Sequence, residues 1–489
     1  MLFYAKGPGP LYHQIYRALR GRILSGRLTP GSRLPSTRAL GAELGVSRTT
    51  LLLAYGQLLA EGYVEGRTGS GTFVAAALPE PVPAPPRAGK RGRAPARATP
   101  HLSKFGRRIV AKPPRPSPST AWRGRPIRYD FRYGISGADP PPWRLWRRLT
   151  MQRLRGAAPE SFAYAPPEGA ASLREALARY LERTRAVACK PEQIIIVNGS
   201  QQALDLAARV LLDPGDRVVL EEPHSQGARE VFLAAGARLV PSPVDAEGLN
   251  VAALRPAARR ARLVYVTPSH QFPTGAVMSL ARRLALLAWA HTAGAYILEH
   301  DYDGEFRFGG RPIEAVAALD RHGRVIYVGT FSRVLFPTLR VGYMVLPEPL
   351  GAAFRAAKWL TDRHTGTFPQ EVLAAFIAGG HFERALRRSR TVYAKRRAAL
   401  LAAAGTYLAG RVDITGTDAG THVLMWFRRI PVGGLPALVE RAASAGVGVY
   451  PATRYFLRPP RRAGVLLGYG AIPDGDIEEG IRRLAAVLP

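Results

Sequence analysis

Two apolar runs, Val325-Ile326-Tyr327-Val328 and Tyr343-Met344-Val345-Leu346, stand close together in the chain. Both are short and rich in β-branched or aromatic side chains, so both read as buried strands. A segment held at each end by a buried strand is a rigid loop in an α/β core. This loop reads Gly329-Thr330-Phe331-Ser332-Arg333-Val334-Leu335-Phe336-Pro337-Thr338-Leu339-Arg340-Val341-Gly342. Thr330, Ser332 and Arg340 supply two short hydroxyls and a fixed cation, side chains suited to a phosphate cup.

Further apolar runs place this loop in a larger pattern. Ile194-Ile195-Ile196-Val197, Val218-Val219-Leu220, Leu263-Val264-Tyr265-Val266 and Tyr296-Ile297-Leu298 are candidate strands, and helical periods such as 201–212 and 280–290 separate most of them. Alternation of this kind predicts an α/β domain over 127–489, with a mainly parallel sheet and helices on both faces. After Trp359 a long helical region leads to Val423-Leu424-Met425-Trp426-Phe427, Val447-Gly448-Val449-Tyr450 and Val465-Leu466-Leu467, which predicts a small α+β subdomain over about 360–489.

The N-terminal stretch, 1–77, has a different grammar. Leu11, Ile15, Leu19 and Ile23 share one helical face, and Thr29-Pro30-Gly31 ends that helix. Ser36 is a good N-cap for a second helix, Gly45-Val46-Ser47 makes a tight turn, and Ser47 caps a third helix burying Leu51, Tyr55 and Leu58. That third helix opens Ser47-Arg48-Thr49-Thr50, short hydroxyls and a forked cation at a helix N-terminus. Such a start can read base edges and bind phosphate together. Tyr63 to Val74 reads as a hairpin whose glycine-rich tip, with Arg67, can enter a minor groove or lie along a backbone.

Between these parts, 78–126 is rich in Pro, Arg, Ala and Ser, shows no helical or strand period, and is expected to be an extended cationic tether with auxiliary affinity for a duplex. Over all 489 residues the formal net charge is +33, which points to a polyanionic partner, most simply nucleic acid. A coding bias towards Arg contributes to the same figure. The single cysteine, Cys189, excludes an internal disulfide and suits a reducing compartment. No apolar signal core opens the chain, and the most apolar segment, 284–290, is too short to span a bilayer, so no membrane association is expected.

Residues 11–75 resemble the winged helix of the GntR family of bacterial regulators. The resemblance is carried by Pro30-Gly31-Ser32-Arg33-Leu34-Pro35-Ser36-Thr37-Arg38, Gly45-Val46-Ser47-Arg48-Thr49-Thr50 and Gly69-Ser70-Gly71-Thr72-Phe73-Val74. It implies that Arg38, Ser47, Arg48, Thr49 and Thr50 sit at double-stranded operator DNA, with Arg67 and Gly69 on the wing. Arg33, Ser36 and Ser70 belong to the same signatures and are taken as DNA-facing with them.

Most of 130–488 resembles fold-type I aminotransferases, which hold pyridoxal phosphate on a lysine. The loop 329–342, the turn Asn198-Gly199-Ser200-Gln201-Gln202, the segment Thr267 to Gly275 and the segment Glu299 to Phe306 carry it, in the expected order. A winged helix fused to this body is the architecture of the MocR subfamily of GntR regulators. The resemblance implies a pocket of Ser200, Gln201, His300, Tyr302, Thr330, Ser332, Arg333 and Arg340, with no metal.

Four positions depart from the family pattern. Arg333 holds the lysine position, and a guanidinium cannot lose its proton to attack an aldehyde. His300 stands where the family has the aspartate that pairs with the pyridinium nitrogen; a register shift of one would return that role to Asp301. Ser225 replaces an aromatic residue that packs on the cofactor ring. Leu466 stands where some relatives carry a carboxylate-binding arginine. Arg333 itself can be read as the partner of Asp301 or Asp303.

The expectation is a cytoplasmic, nucleoid-associated, dimeric transcription regulator that is not an enzyme. Its pocket is a structural relic, a site for a small anionic effector, or a site for pyridoxal phosphate held without a covalent bond. The competing expectations are an active pyridoxal-phosphate aminotransferase with a DNA-binding head, and a DNA-architectural protein with an inert body.

Overall fold

The computed structural model describes residues 9–79, 101–113, 122, 125–135, 142–254, 256–309 and 314–489. Two units emerge, Met1–Pro100 and His101–Pro489.

In the first unit, helices α1 (Leu11–Leu24), α2 (Thr37–Leu44) and α3 (Arg48–Ala60) precede a hairpin of β1 (Val64–Arg67) and β2 (Gly71–Val74). The apolar stripe predicted for the first helix is buried at Ile15, Leu19 and Ile23, while Leu11 frays into solvent. These side chains meet Leu40, Leu51, Leu58 and Val64 in one small core. The helix-turn-helix angle is set by local chemistry. Ser36 accepts from Ala39 N (3.1 Å), Gly45 closes α2 in the left-handed region (φ 66°), and Ser47 accepts from Thr50 N (3.2 Å). Tyr55 ties α3 back to the turn by donating its hydroxyl to Pro35 O (2.8 Å). On the outward side of α3, Leu52, Leu53 and Leu59 are about half exposed.

The second unit opens inside the span expected to be a featureless tether. Lys104–Ala111 is a helix, α4, capped by Ser103, whose hydroxyl accepts from Gly106 N (3.0 Å). Periodicity missed it because its apolar content is slight; the serine cap was the available signal. The other tether residues, apart from 78–79, 101–103, 112–113, 122 and 125–126, lie outside the described residues.

Next come β3 (Tyr129–Asp130), α5 (Trp143–Arg155), α6 (Ala171–Arg185), β4 (Ile194–Val197), α7 (Ser200–Leu211), β5 (Arg217–Glu222), α8 (Gln226–Ala235), β6 (Arg238–Asp245) and β7 (Gly248–Leu249). They are followed by β8 (Ala261–Val266), α9 (Leu280–Ala293), β9 (Tyr296–Asp301), α10 (Val316–Leu319), β10 (Val325–Thr330) and β11 (Gly342–Val345). Strands β4 to β11 build one eight-stranded sheet, ordered β4-β11-β10-β9-β8-β5-β6-β7. The central pairs are parallel, as predicted. β11 runs antiparallel between β4 and β10. The loop from 331 to 341 is too short for the crossover a parallel return needs, so the chain doubles back beside β10. Both faces of the sheet are covered, which explains why its strands are continuous apolar runs.

Helices α11 (Gly351–Asp362), α12 (Thr367–Ala378) and α13 (His381–Tyr407) lead to the smaller subdomain. There β12 (Val412–Thr415), β13 (His422–Phe427), α14 (Leu435–Ser444), β14 (Val447–Gly448), β15 (Tyr450–Pro451), β16 (Gly464–Gly468) and α15 (Asp476–Ala486) form an α+β layer on the sheet β12-β13-β16-β15. β14 pairs with β3, so this subdomain also takes in 129–130, far upstream of residue 360. Two-residue strands carry no periodic signal. Among the described residues no helix is long and apolar enough to cross a membrane.

Leu51 is fully buried at the centre of the small first core. Leu51→Ala is expected to destabilise that unit by about 2–5 kcal/mol. Hydrogen exchange should then speed up across residues 11–74 while the second unit keeps its protection.

Candidate ligand cavity and nucleic-acid interface

The carboxyl ends of β4, β9 and β10 converge where β11 interrupts the parallel run, the place where open α/β sheets leave a crevice. A cavity of about 440 Å³ opens there, and all eight predicted pocket residues line it: Ser200, Gln201, His300, Tyr302, Thr330, Ser332, Arg333 and Arg340.

One end is built from backbone and short side chains. Gly199 precedes α7 at φ 79°, and no side chain caps that helix; Gln202 N donates to Gly199 O (3.1 Å), so the first-turn N–H groups left for a ligand are those of Ser200 and Gln201. Arg340, itself left-handed at φ 53°, donates to Asn198 O (2.6 Å) and lies over this turn. A Cβ at position 199 would meet its guanidinium at 2.8 Å, so the close approach requires glycine. The Thr330 hydroxyl donates to Ser332 Oγ (3.2 Å) and accepts from Ser332 N (3.2 Å), which fixes the lip of the loop. Gln201 Nε2 donates to Gly227 O across to α8.

At the other end, Arg333 lies over the rings of Tyr133 and Tyr302, with its carbon 5.9 and 5.7 Å from their centroids. It makes no ion pair with a described carboxylate. Asp301 instead accepts from the Tyr327 hydroxyl (2.6 Å) and pairs with Arg185 (2.5 Å). Asp303 pairs with His270 (3.1 Å). The reading of Arg333 as the partner of Asp301 or Asp303 therefore gives way: each acid has a nearer partner. Among the described residues, the cavity is lined by two arginines and by no lysine.

His300 and Asp301 are adjacent on β9. His300 lines the cavity and Asp301 does not. His300 Nδ1 lies 2.8 Å from the Tyr265 hydroxyl, and its Nε2 is buried without a partner. Burial, opposed by Asp301 and aided to a smaller extent by the Arg333 charge, pushes the imidazole down to about 4, so it is neutral near pH 7. Ser225 also lines the cavity, but the wall is not poor in aromatic surface: Tyr133, Tyr265, Phe272 and Tyr455 surround it. Leu466 is buried against Phe272, Tyr302 and Tyr455 and brings no charge. Tyr133 and Tyr455 escaped sequence reasoning because they reach the cavity from segments 320 or so residues apart, joined by a 2.7 Å bond between their hydroxyls.

On the first unit, Arg38, Arg48 and Thr49 are exposed, the last two on the first turn of α3. Ser36 and Ser47 are engaged as caps, and Ser47 Oγ lies 2.8 Å from Thr50 Oγ1. Arg67 pairs with Glu65 (2.7 Å) and stacks on Phe73 (4.7 Å). Gly69 turns the hairpin at φ 75°, and Ser70 N donates to Arg67 O. Arg33 bridges to Phe73, and a Cβ on Gly71 would meet its Nε at 3.0 Å.

Comparison with known proteins supports both units. Residues 11–74 match the bacterial regulatory proteins of the gntR family, and 140–428 match aminotransferase class I and II. The probable rhizopine catabolism regulatory protein MocR of Rhizobium meliloti is 40% identical over 98% of this chain and 94% of its own. The HTH-type transcriptional regulator TauR of Rhodobacter capsulatus is 36% identical over 99% of this chain and 97% of its own. Among solved structures, a Pyrococcus horikoshii kynurenine aminotransferase, in complex with PMP, superposes with a TM-score of 0.72 at 29% identity, covering 79% of this chain and 96% of that one. With a GntR-type winged helix ahead of an aminotransferase-type body, and relatives of the same design along its whole length, the chain belongs to the MocR-type transcriptional regulators of the GntR family.

Proposed function

We propose that this regulator binds operator DNA through α3 and the wing, and that its aminotransferase-like body binds a small anionic effector without performing catalysis. The observation that carries the second part is Arg333, a cation in the cavity with no described carboxylate beside it. The kynurenine aminotransferase was solved with PMP, so a pyridoxal-type ligand is the reference for fit. The phosphate end fits: the Ser200 and Gln201 N–H groups at the start of α7, the Thr330 and Ser332 hydroxyls and the Arg340 guanidinium suit an oxyanion. The covalent end does not fit. Arginine stays protonated at any physiological pH and cannot act as an amine nucleophile. His300, neutral and with Nε2 unpartnered, gives no fixed negative charge to a protonated ring nitrogen. A covalent lysine-bound cofactor is therefore not expected, and reversible binding of a phosphorylated or carboxylated ligand is.

In the same reading the body dimerises, two copies of α3 face paired half-sites, and the protein works in the cytoplasm. Arg38, Arg48 and Thr49 supply readout, while Ser36 and Ser47 hold the helices that present them. Arg67, already neutralised in part by Glu65, contributes backbone affinity.

Three outcomes test this. Borohydride treatment after incubation with pyridoxal phosphate should leave no adduct on any cavity residue, whereas Arg333→Lys should acquire one at position 333. An adduct in the unaltered cavity, found by peptide mass spectrometry, sinks the non-covalent reading. Arg48→Ala should relax base preference at one position by about 1–3 kcal/mol, while Arg67→Ala should weaken binding evenly across sequences. Equal loss on every sequence for both variants would move the reading helix elsewhere. The third outcome concerns acid. The unfolded chain protonates His300 near 6.5, but the folded protein does so only near 4. Stability should therefore fall as pH drops through that window, by on the order of 3 kcal/mol from this residue. Urea unfolding of His300→Gln should show a shallower acid slope; an unchanged slope would mean that the imidazole is already charged.

A further inference from the structure

Helix α8 touches the cavity at one end and the linker at the other. At its N-terminus, Ser225 offers no side-chain cap, and Ser225, Gln226, Gly227 and Glu230 line the cavity. In its middle, Phe232 packs edge-on against Tyr265 (6.2 Å), whose hydroxyl meets His300. At its C-terminus, α4 lies alongside, and Arg108 Nε donates to Ala234 O (2.9 Å). The Arg108 guanidinium also lies over Gly236, the left-handed residue that ends α8 at φ 91°; a Cβ there would meet Arg108 Cζ at 3.1 Å. A cation from the chain segment leading to the first unit thus caps the negative end of a helix whose positive end is open to the ligand cavity.

We propose that α8 couples ligand occupancy to the linker, with Arg108 as the positioning residue that reads the helix from outside the cavity. This rests on the reading of the cavity as an anion site. An anion at the N-terminus and a guanidinium at the C-terminus stabilise the same ten-residue dipole, so each favours the other. A filled cavity orders α8, holds the Ala234 carbonyl in place and seats α4 more firmly. By reciprocity, a seated Arg108 tightens ligand binding by the same factor.

The experiment uses the full chain, with inorganic phosphate and pyridoxal phosphate as separate probes. Binding is followed by calorimetry and amide exchange by mass spectrometry. Filling the cavity should slow exchange in 104–111 about five-fold, and Arg108→Ala should weaken probe binding by about the same factor. Arg107→Ala removes an identical charge one residue away, where the guanidinium donates to Leu102 O of its own loop (2.7 Å) rather than to α8, and should change neither quantity. Arg340→Ala, which damages the cavity, should abolish the exchange response of 104–111 to either probe. Probe binding without any change at 104–111 overturns the coupling and leaves the cavity reading intact. Failure of both probes to bind the unaltered protein overturns the cavity reading, and the coupling with it. Equal weakening by Arg107→Ala and Arg108→Ala also overturns the coupling, since it reduces the effect to net charge.

Discussion

A short return governs the body of this protein. Because 331–341 cannot hold a crossover helix, β11 enters the sheet against the grain, between β4 and β10. That insertion brings the end of β4, with Gly199 and Ser200, next to the loop carrying Thr330, Ser332, Arg333 and Arg340. It also forces backbones together: a Cβ on Gly342 would lie 3.0 Å from Gly329 O and 3.1 Å from Gly199 Cα. The close backbone packing of Gly199, Gly329 and Gly342 thus holds the cavity-lining segments together, and the side chains of those segments decide its chemistry.

Those side chains divide into two sets. The oxyanion end has the hydroxyls, helix N-terminus and arginine that any phosphate-binding crevice of this fold would use. At the opposite end stand a guanidinium that holds its proton and an imidazole that burial keeps neutral. The two side chains support each other. A fixed cation at 333 adds to the forces that keep 300 uncharged, and the aromatic rings of Tyr133 and Tyr302 give the guanidinium a seat that needs no acid.

Much of this was legible in the residues alone, for identifiable reasons. Strands buried on both faces are continuous apolar runs, so β4, β5, β8, β9, β10 and β11 were visible. β6, with its prolines and part-exposed edge, was not. Caps at Ser36 and Ser47 announced α2 and α3. The eight cavity residues were legible because turn chemistry and motif order lie in continuous segments. Tyr133 and Tyr455 were hidden, since only tertiary folding unites them. The alternative pairing of Arg333 with Asp301 or Asp303 falls because Arg185 and His270, which only tertiary folding brings there, already hold those acids. The helix α4 hid because its eight residues, though amphipathic, give only two turns of period inside a segment dominated by proline and arginine.

The leucines along α3 have a practical bearing. Leu52, Leu53 and Leu59 leave a greasy flank beside the basic start of the same helix. In the isolated winged helix that flank makes up a larger share of a smaller surface and weighs more in colloidal behaviour. Purified fragments should clump as salt rises and electrostatic repulsion between them is screened. Solution work on the isolated head calls for dilute, low-salt conditions or for polar replacements at these three positions.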